Sequence, residues 1–399
     1  MLKRASDQDR LLRNELIERA TALVPLLRRN AEQTDRERRV VDENIGALQQ
    51  AGMFRLLVPR RYGGHQIGMR ANLDIVSILA EGCGASAWVV NLINNCAWFI
   101  GLMPTRTQDE IFGTDPDARA AGVFAPSAQT QRVDGGLIAS GRWYWASGSL
   151  HANWAMLGLI EHSPNGKLVD QYLAFAPMDQ LTIEQTWYAS GMRGTGSNCL
   201  IAENVFIPDH HMISLPAAVS GKYLTEHTEE TLYRSAFAPV IALILAGPQL
   251  GLARAAQKHV IEMATQRNIP YTIYERQVDS PAFQLQIASA AMQIDSAHLH
   301  AYRAADDIDN AAANGAYLDY ATRARVRADA GYVARMVTEA ISTLLSAHGA
   351  GSFAEANPLQ RIWRDANTAA RHAFVLPPVC EELYGKVLLG VDKNITPLI

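Results

Sequence analysis

Cysteine is scarce in this chain. There are four in 399 residues, Cys83, Cys96, Cys199 and Cys380, with no CxxC pair. Such spacing excludes a disulfide scaffold and the common zinc clusters, and it points to a reducing cytoplasm. An excess of charge is missing too, since 36 basic residues face 40 acidic ones for a formal net charge of -4. A surface so balanced has no field to hold a polyanion, so nucleic acid is not an expected partner. The most apolar stretch, Ala236 to Leu252, is interrupted by Pro239, Gly247 and Pro248. It falls short of the ~18 residues that a membrane span requires and reads as a buried helix. Met1 to Arg10 is polar and charged, without the apolar core of a secretory signal.

Several catalytic signatures are also absent. No GxxxxGK[ST], HExxH or GxSxG is present, which removes the usual footholds for phosphoryl transfer, zinc proteolysis and α/β-hydrolase chemistry. Gly349 to Ala354 fits GxGxxA, but it follows a helical pattern where a dinucleotide fold needs a strand, so it reads as a helix stop. His210-His211, after Asp209, reads as a solvated turn, and no metal site is expected.

Three textures organise what is there. From residue 1 to 119 apolar residues recur three and four apart, as in Leu12, Leu23, Leu26, Leu27, then Val41, Ile45 and Leu48, which predicts helices. Residues 120–230 carry short alternating runs broken at turn signals such as Asp134-Gly135-Gly136, which predicts a compact antiparallel β unit. Residues 231–399 return to long helical patterns, with Pro358 placed to open the last long helix, and predict an antiparallel bundle. In that bundle Ala236, Ile241, Leu243, Ile244 and Leu245 occupy more than one helical face, which predicts a homo-oligomer, a tetramer first.

Three stretches carry chemistry. Gly141 to Ser149 (GRWYWASGS), followed by His151 and Trp154, crowds aromatic rings around hydroxyls, which suits a planar heterocycle and equally suits core tryptophans with turn serines. Gly191 to Ser197 (GMRGTGS), just after Trp187, allows close backbone approach, with Arg193, Thr195 and Ser197 as polar contacts. A plain glycine-rich hairpin explains it as well. The third stretch holds Arg361, Arg364, Asp365, Thr368, Arg371 and His372, of which Asp365, Thr368 and His372 share one helical face. His372 is then either a base oriented by Asp365 or part of an ion-pair ladder.

In this order, these stretches resemble the acyl-CoA dehydrogenase superfamily and, within it, the flavin-dependent oxygenases that hydroxylate aromatic compounds. The resemblance begins at Leu57 to Gly64 (LVPRRYGG) and Gly84 to Val89 (GASAWV), includes the GxWxxASG run, and ends at Leu359-Gln360-Arg361 through Arg371-His372. It implies a mainly α fold with a central β domain, in which an N-terminal helical domain, a β-barrel-like domain and a four-helix bundle succeed one another. Ser147 would sit beside the flavin N5 and C4a, with Trp145, Ala146, Arg193, Gly194, Thr195 and Ser197 as further cofactor contacts. Trp88, Asn91, Cys96 and His372 would line the substrate pocket, and His372 would be the catalytic base. The activity implied is that of the oxygenase component of a two-component monooxygenase, acting on an aromatic or polycyclic molecule through a C4a-hydroperoxide formed from O2 and reduced flavin. FMN is the first choice and FAD the second, delivered by a separate reductase. A YEG-like carboxylate segment, typical of the dehydrogenases, is absent. Many of the oxygenases place a His two residues before a Trp, whereas Cys96-Ala97-Trp98 stands here, so a simple phenol is not implied. An aminosugar N-oxygenase, an acyl-CoA dehydrogenase and a non-catalytic flavin-fold subunit are the alternatives.

Overall fold

Helix boundaries follow side-chain chemistry carried by the sequence. In the computed structural model, which describes residues 7–399, six helices precede the first strand. They are α1 (Asp7–Arg29), α2 (Ala31–Glu37), α3 (Asp42–Gln50), α4 (Met69–Gly82), α5 (Gly84–Gly101) and α6 (Thr105–Gln108). Extended Cys83 alone separates α4 from α5. α5 is enclosed on all sides, and every residue in it is buried except Leu92, as expected of a helix at the centre of a fold. The first six residues, part of the segment judged to lack a signal core, lie outside the described residues.

Eight strands follow: β1 (Ala120–Val123), β2 (Ala128–Val133), β3 (Gly136–Ala146), β4 (Trp154–His162), β5 (Leu168–Pro177), β6 (Thr182–Glu184), β7 (Asn198–Pro208) and β8 (Met212–Ser214). They form two four-stranded sheets, ordered β1-β4-β5-β8 and β2-β3-β7-β6. The expectation of a purely antiparallel unit is corrected at one edge, where β1 pairs with β4 in parallel. Between them the chain crosses to the other sheet for the β2–β3 hairpin, and a crossover of that length permits parallel pairing. β6 and β8, three residues each, are too short to show alternation in sequence. The sheets enclose a core that includes Leu137, Trp143, Leu157 and Leu200. Trp143 pins them together, its indole N–H donating 2.9 Å to the Gly158 carbonyl of the facing sheet.

The remaining helices are α7 (Leu215–Val219), α8 (Phe237–Ile244), α9 (Ala246–Met263), α10 (Pro281–Ala313), α11 (Tyr320–His348), α12 (Pro358–Ala369) and α13 (Pro377–Leu388). Ser280, Asp319 and Asn357 cap α10, α11 and α12 by accepting first-turn N–H groups, and Pro281 and Pro358 occupy first helical positions. Gly349, at φ +87°, ends α11. The apolar run read from the sequence supplies α8 and much of α9. By length and composition Phe237–Met263 could cross a membrane, yet 94% of its most apolar window is buried inside the chain. The reasoning that led to an oligomer is corrected here, because Ala236, Ile241, Leu243, Ile244 and Leu245 are all at most 3% exposed within the single chain. Exposed apolar side chains stand elsewhere, at Leu285, Met292 and Leu299 on α10, each about 70% exposed and seven residues apart.

Burial holds several histidines neutral. Desolvation, with nearby arginines adding to it, pulls His151, His298, His348 and His372 down to about 4, against about 6.5 in an unfolded chain. Between pH 6.5 and 4 the unfolded chain takes up protons that the folded chain refuses, so stability falls as pH falls through that window. Asp309 and Asp365, raised by burial to about 6, act in the opposite sense, but they are two groups against four. Melting temperatures measured from pH 7.5 to 4.5 are expected to decline steadily below 6.5. A flat profile would mean that these rings are solvated.

Candidate active site

β3 enters the site through an irregularity. Its register with β7 slips between Trp143 and Ala146, and Trp145 adopts φ +73°, a conformation that bulky residues rarely take. Trp143 therefore points into the core, while Tyr144 and Trp145 both face outward, Trp145 being 71% exposed. Ala146 is buried, and Ser147 opens a turn by donating its N–H 3.0 Å to the Trp145 carbonyl. Gly148, at φ +80°, then donates 2.9 Å to the Thr195 carbonyl. The two polar stretches singled out in the sequence thus meet.

Their hydroxyls form a chain with a definite direction. Thr195 Oγ1 lies 2.8 Å from the Met192 carbonyl, which can only accept, so Thr195 must donate there. A hydroxyl has one proton and two lone pairs. Ser197 then donates to Thr195 across 2.6 Å, and Ser147 donates to Ser197 across 2.7 Å. Trp88 Nε1 donates to Ser147 Oγ at 3.3 Å. All three hydroxyl residues are buried. Ser147 is left with a free lone pair and no free proton, so toward a ligand it is an acceptor.

The loop carrying Thr195 and Ser197 is held by two other parts of the chain. Met192, at φ +51°, donates its N–H 2.5 Å to Asp365 Oδ1 on α12. Arg364 donates to the Ser190 carbonyl and pairs with Asp35 on α2 at 3.1 Å, and Arg193 lies 3.8 Å from the same carboxylate. The glycines in this loop serve that packing. A Cβ at Gly191 would stand 2.0 Å from the Arg364 carbonyl, and one at Gly194 2.3 Å from Thr34 Cγ2. Expected to admit a ligand, they instead admit α12 and α2. Arg193 Nε is buried without a hydrogen bond.

Asp365 does not orient His372, contrary to the expectation from helical spacing. α12 ends at Ala369 and His372 lies in the turn beyond it, while the Asp365 carboxylate is taken by Met192. Thr368 abuts Gly191, where a Cβ would lie 2.5 Å from its hydroxyl. His372 instead receives the Phe374 N–H on Nδ1 at 3.3 Å. A neutral ring accepting at Nδ1 carries its proton on Nε2. That nitrogen has no partner among the described residues. His372 is exposed on one side, and its ring is enclosed on the others by Trp88, 6.1 Å away, and Phe374, 6.2 Å away. This enclosure, with the charge of Arg327, lowers its pKa to about 4. An aromatic series continues from Phe374 to Phe124 (5.9 Å) and on to Phe99 (5.3 Å).

Other expected pocket residues fare differently. Asn91 receives a hydrogen bond from Asn72 at 3.1 Å and donates to the Ile244 carbonyl, so its amide joins helices and offers nothing to a substrate. Cys96 is buried, and desolvation pushes its thiol up to about 12. The solvated turn expected at His210-His211 is also corrected. His211 is buried, and both Nε2 atoms lie on Glu110 Oε2, at 3.0 and 2.8 Å, while His211 Nδ1 faces the Phe175 carbonyl. Despite desolvation, hydrogen bonds from His210, Arg106 and His211 hold Glu110 at about 2. Nothing in the local sequence announces this cluster, because Glu110 stands a hundred residues upstream. A depression of about 480 Å³ between Val219, Tyr317 and Ile399 lies apart from all these groups.

Comparison with known proteins agrees with this architecture. Residues 7–112 match the acyl-CoA dehydrogenase N-terminal domain and residues 243–377 an acyl-CoA dehydrogenase C-terminal domain. The chain is 32% identical to the flavin-dependent monooxygenase oxygenase subunit HsaA of Rhodococcus jostii, over 94% of this chain and 98% of that one. It is 29% identical to the oxygenase component of p-hydroxyphenylacetate 3-hydroxylase from Acinetobacter baumannii, over 96% and 90%. Among solved structures, XiaF from Streptomyces sp., in complex with FADH2 and glycerol, superposes with a TM-score of 0.92 at 36% identity, over 98% of both chains. The chain has the acyl-CoA dehydrogenase fold. Within that fold it belongs to the oxygenase components of two-component flavin-dependent monooxygenases, and it uses reduced flavin.

Gly191→Ala tests the loop anchorage. With a carbonyl 2.0 Å from the new methyl, α12 and the loop must separate, at a cost of about 1–3 kcal/mol. Calorimetry should show a lower Tm and flavin titration a weaker Kd. An unchanged Tm would mean that the junction yields freely.

Proposed function

We propose that this oxygenase hydroxylates a neutral aromatic or polycyclic substrate against the aromatic wall of Trp88, His372 and Phe374, with Ser147 and His372 acting on opposite sides of the reaction. The observation that carries this reading is complementary polarity, since Ser147 offers only a lone pair and His372 offers an N–H. When bound, reduced flavin would supply the two electrons that activate dioxygen, one of whose oxygen atoms enters the ring while the other leaves as water. An acceptor at Ser147 matches the N5–H that only reduced flavin carries, whereas the oxidised ring presents an acceptor there. Trp145, exposed beside this turn, supplies a face for the flavin ring, and Arg193 a donor. Trp88, Phe124 and Phe374 keep water from the reacting atoms. His372 would steady the oxygen that is not transferred by donating a hydrogen bond from Nε2–H. Its low pKa keeps it uncharged throughout the physiological range, so it acts by hydrogen bonding, and the proton that the untransferred oxygen takes up comes from the hydroxylated ring carbon.

The relatives' names favour FADH2 over the FMN preferred from sequence, because XiaF is solved with FADH2 and a further relative, from Rhizobium, is an FADH2-dependent resorcinol hydroxylase. A separate reductase supplies the reduced cofactor. Four free, buried thiols support a cytoplasmic location. The exposed Leu285, Met292 and Leu299 stripe supports a homo-oligomer, a tetramer in the first instance. Light scattering should give a multiple of the chain mass, reduced by Leu285→Glu combined with Met292→Glu. A monomer in the unaltered protein would remove this part of the reading.

Binding of flavin tests the hydroxyl chain. Reduced flavin should bind more tightly than oxidised flavin, and Ser197→Ala, which releases the Ser147 proton, should narrow that ratio. Equal ratios in both proteins would overturn the assigned polarity. His372→Ala should uncouple the reaction: oxygen is still consumed and hydrogen peroxide released, while product falls by roughly 10² to 10⁴. Its Tm should change little. Retained coupling, or activity lost only in proportion to folded protein, would remove His372 from the chemistry.

A further inference from the structure

α5 carries three asparagines, and they are used unequally. Asn91 links Asn72 to Ile244, and Asn94 binds Leu57 N–H, the Met53 carbonyl and the Val90 carbonyl. Asn95 makes no hydrogen bond among the described residues, although it is 4% exposed and its Oδ1 is fully buried. An amide buried in this way is rare without a partner and calls for a reason.

Its position on the helix supplies one. At 100° per residue, Trp88, Leu92, Asn95 and Phe99 fall on one stripe of α5, within about 60° of each other. Trp88 and Phe99 are the two ends of the aromatic series that runs through His372, Phe374 and Phe124. Leu92, half-buried against the core, is the one residue of α5 that is not buried, so this stripe is the side of α5 that comes nearest the surface. Cys96 lies about 100° round the helix from Asn95. With nothing bonded to it, the Asn95 amide turns about χ2 and can present its oxygen to that side.

We propose that Asn95 is the specificity-determining polar contact of the substrate cavity, accepting a hydrogen bond from a ring N–H or a neutral ring O–H. The proposal rests on the oxygenase reading, because it takes the aromatic-walled space to be the place of the substrate. Neutrality follows from what surrounds it. Arg327, the nearest cation of the aromatic series, stacks on Phe374 and donates to the Phe374, Leu398 and Ala373 carbonyls, so none of its charge is directed at a substrate anion. Cys96 and His372 remain uncharged at neutral pH.

Two pairs of probes differ only in N–H against CH2: indole with indene, and carbazole with fluorene. Their Kd values are measured by anaerobic titration of the enzyme holding reduced flavin. The unaltered protein should prefer the N–H member of at least one pair by roughly 10- to 100-fold. Asn95→Leu should bring that ratio to about one with Tm equal or higher, because no structural bond is lost. Asn95→Ala serves the same comparison if the leucine variant does not fold. A ratio near one in the unaltered protein, or a ratio kept by both variants, overturns the assignment. If the ratio behaves as stated but no probe or related ring is ever oxygenated, the oxygenase reading fails and Asn95 stands as a ligand contact.

Discussion

Two neighbouring residues of α12 join the three parts of the chain that make the candidate site. Asp365 in the bundle accepts the Met192 N–H of the β unit, while the adjacent Arg364 reaches Asp35 in the N-terminal helices. Met192 is held in a left-handed conformation, and its carbonyl is the atom that sets the direction of the hydroxyl chain through Thr195 and Ser197 to Ser147. The chemical character of Ser147 thus depends on a carboxylate that never touches it. Burial raises the Asp365 pKa to about 6, against the hydrogen bond from Met192, so the junction is itself sensitive to its surroundings.

Much of this was legible in the sequence, and the reasons differ by element. α12 announced itself through Asn357-Pro358, because caps act locally. The β2–β3 hairpin was readable from Asp134-Gly135-Gly136 for the same reason. The parallel pairing of β1 with β4 was not, since strand partners are chosen by the path of the chain across two sheets. Ser147, Thr195 and Ser197 were visible as hydroxyls among glycines, but their shared direction is a property of distances between residues up to 50 apart.

The misread residues share a cause. Helical spacing placed His372 with Asp365, yet α12 stops at Ala369, where no glycine or proline marks the end. Gly191 and Gly194 looked like space for a ligand and are space for other helices. Asn91 and Asn95 are indistinguishable by type and lie four residues apart on one helix, and only the partners of each amide tell them apart. Leu285, Met292 and Leu299 show the reverse, being apolar residues whose exposure no pattern in α10 disclosed.

The stripe on α5 belongs to a continuous helix, whereas the groups proposed to meet the cofactor come from turns bolted together by distant segments. This division of labour gives the protein two inheritances that can vary apart. Exchanges at Leu92, Asn95 or Phe99 alter the shape and polarity offered to an incoming ring without passing through the Met192 junction. A lineage, or an engineer, can therefore explore new aromatic molecules on this helix while the machinery that handles oxygen stays as it is.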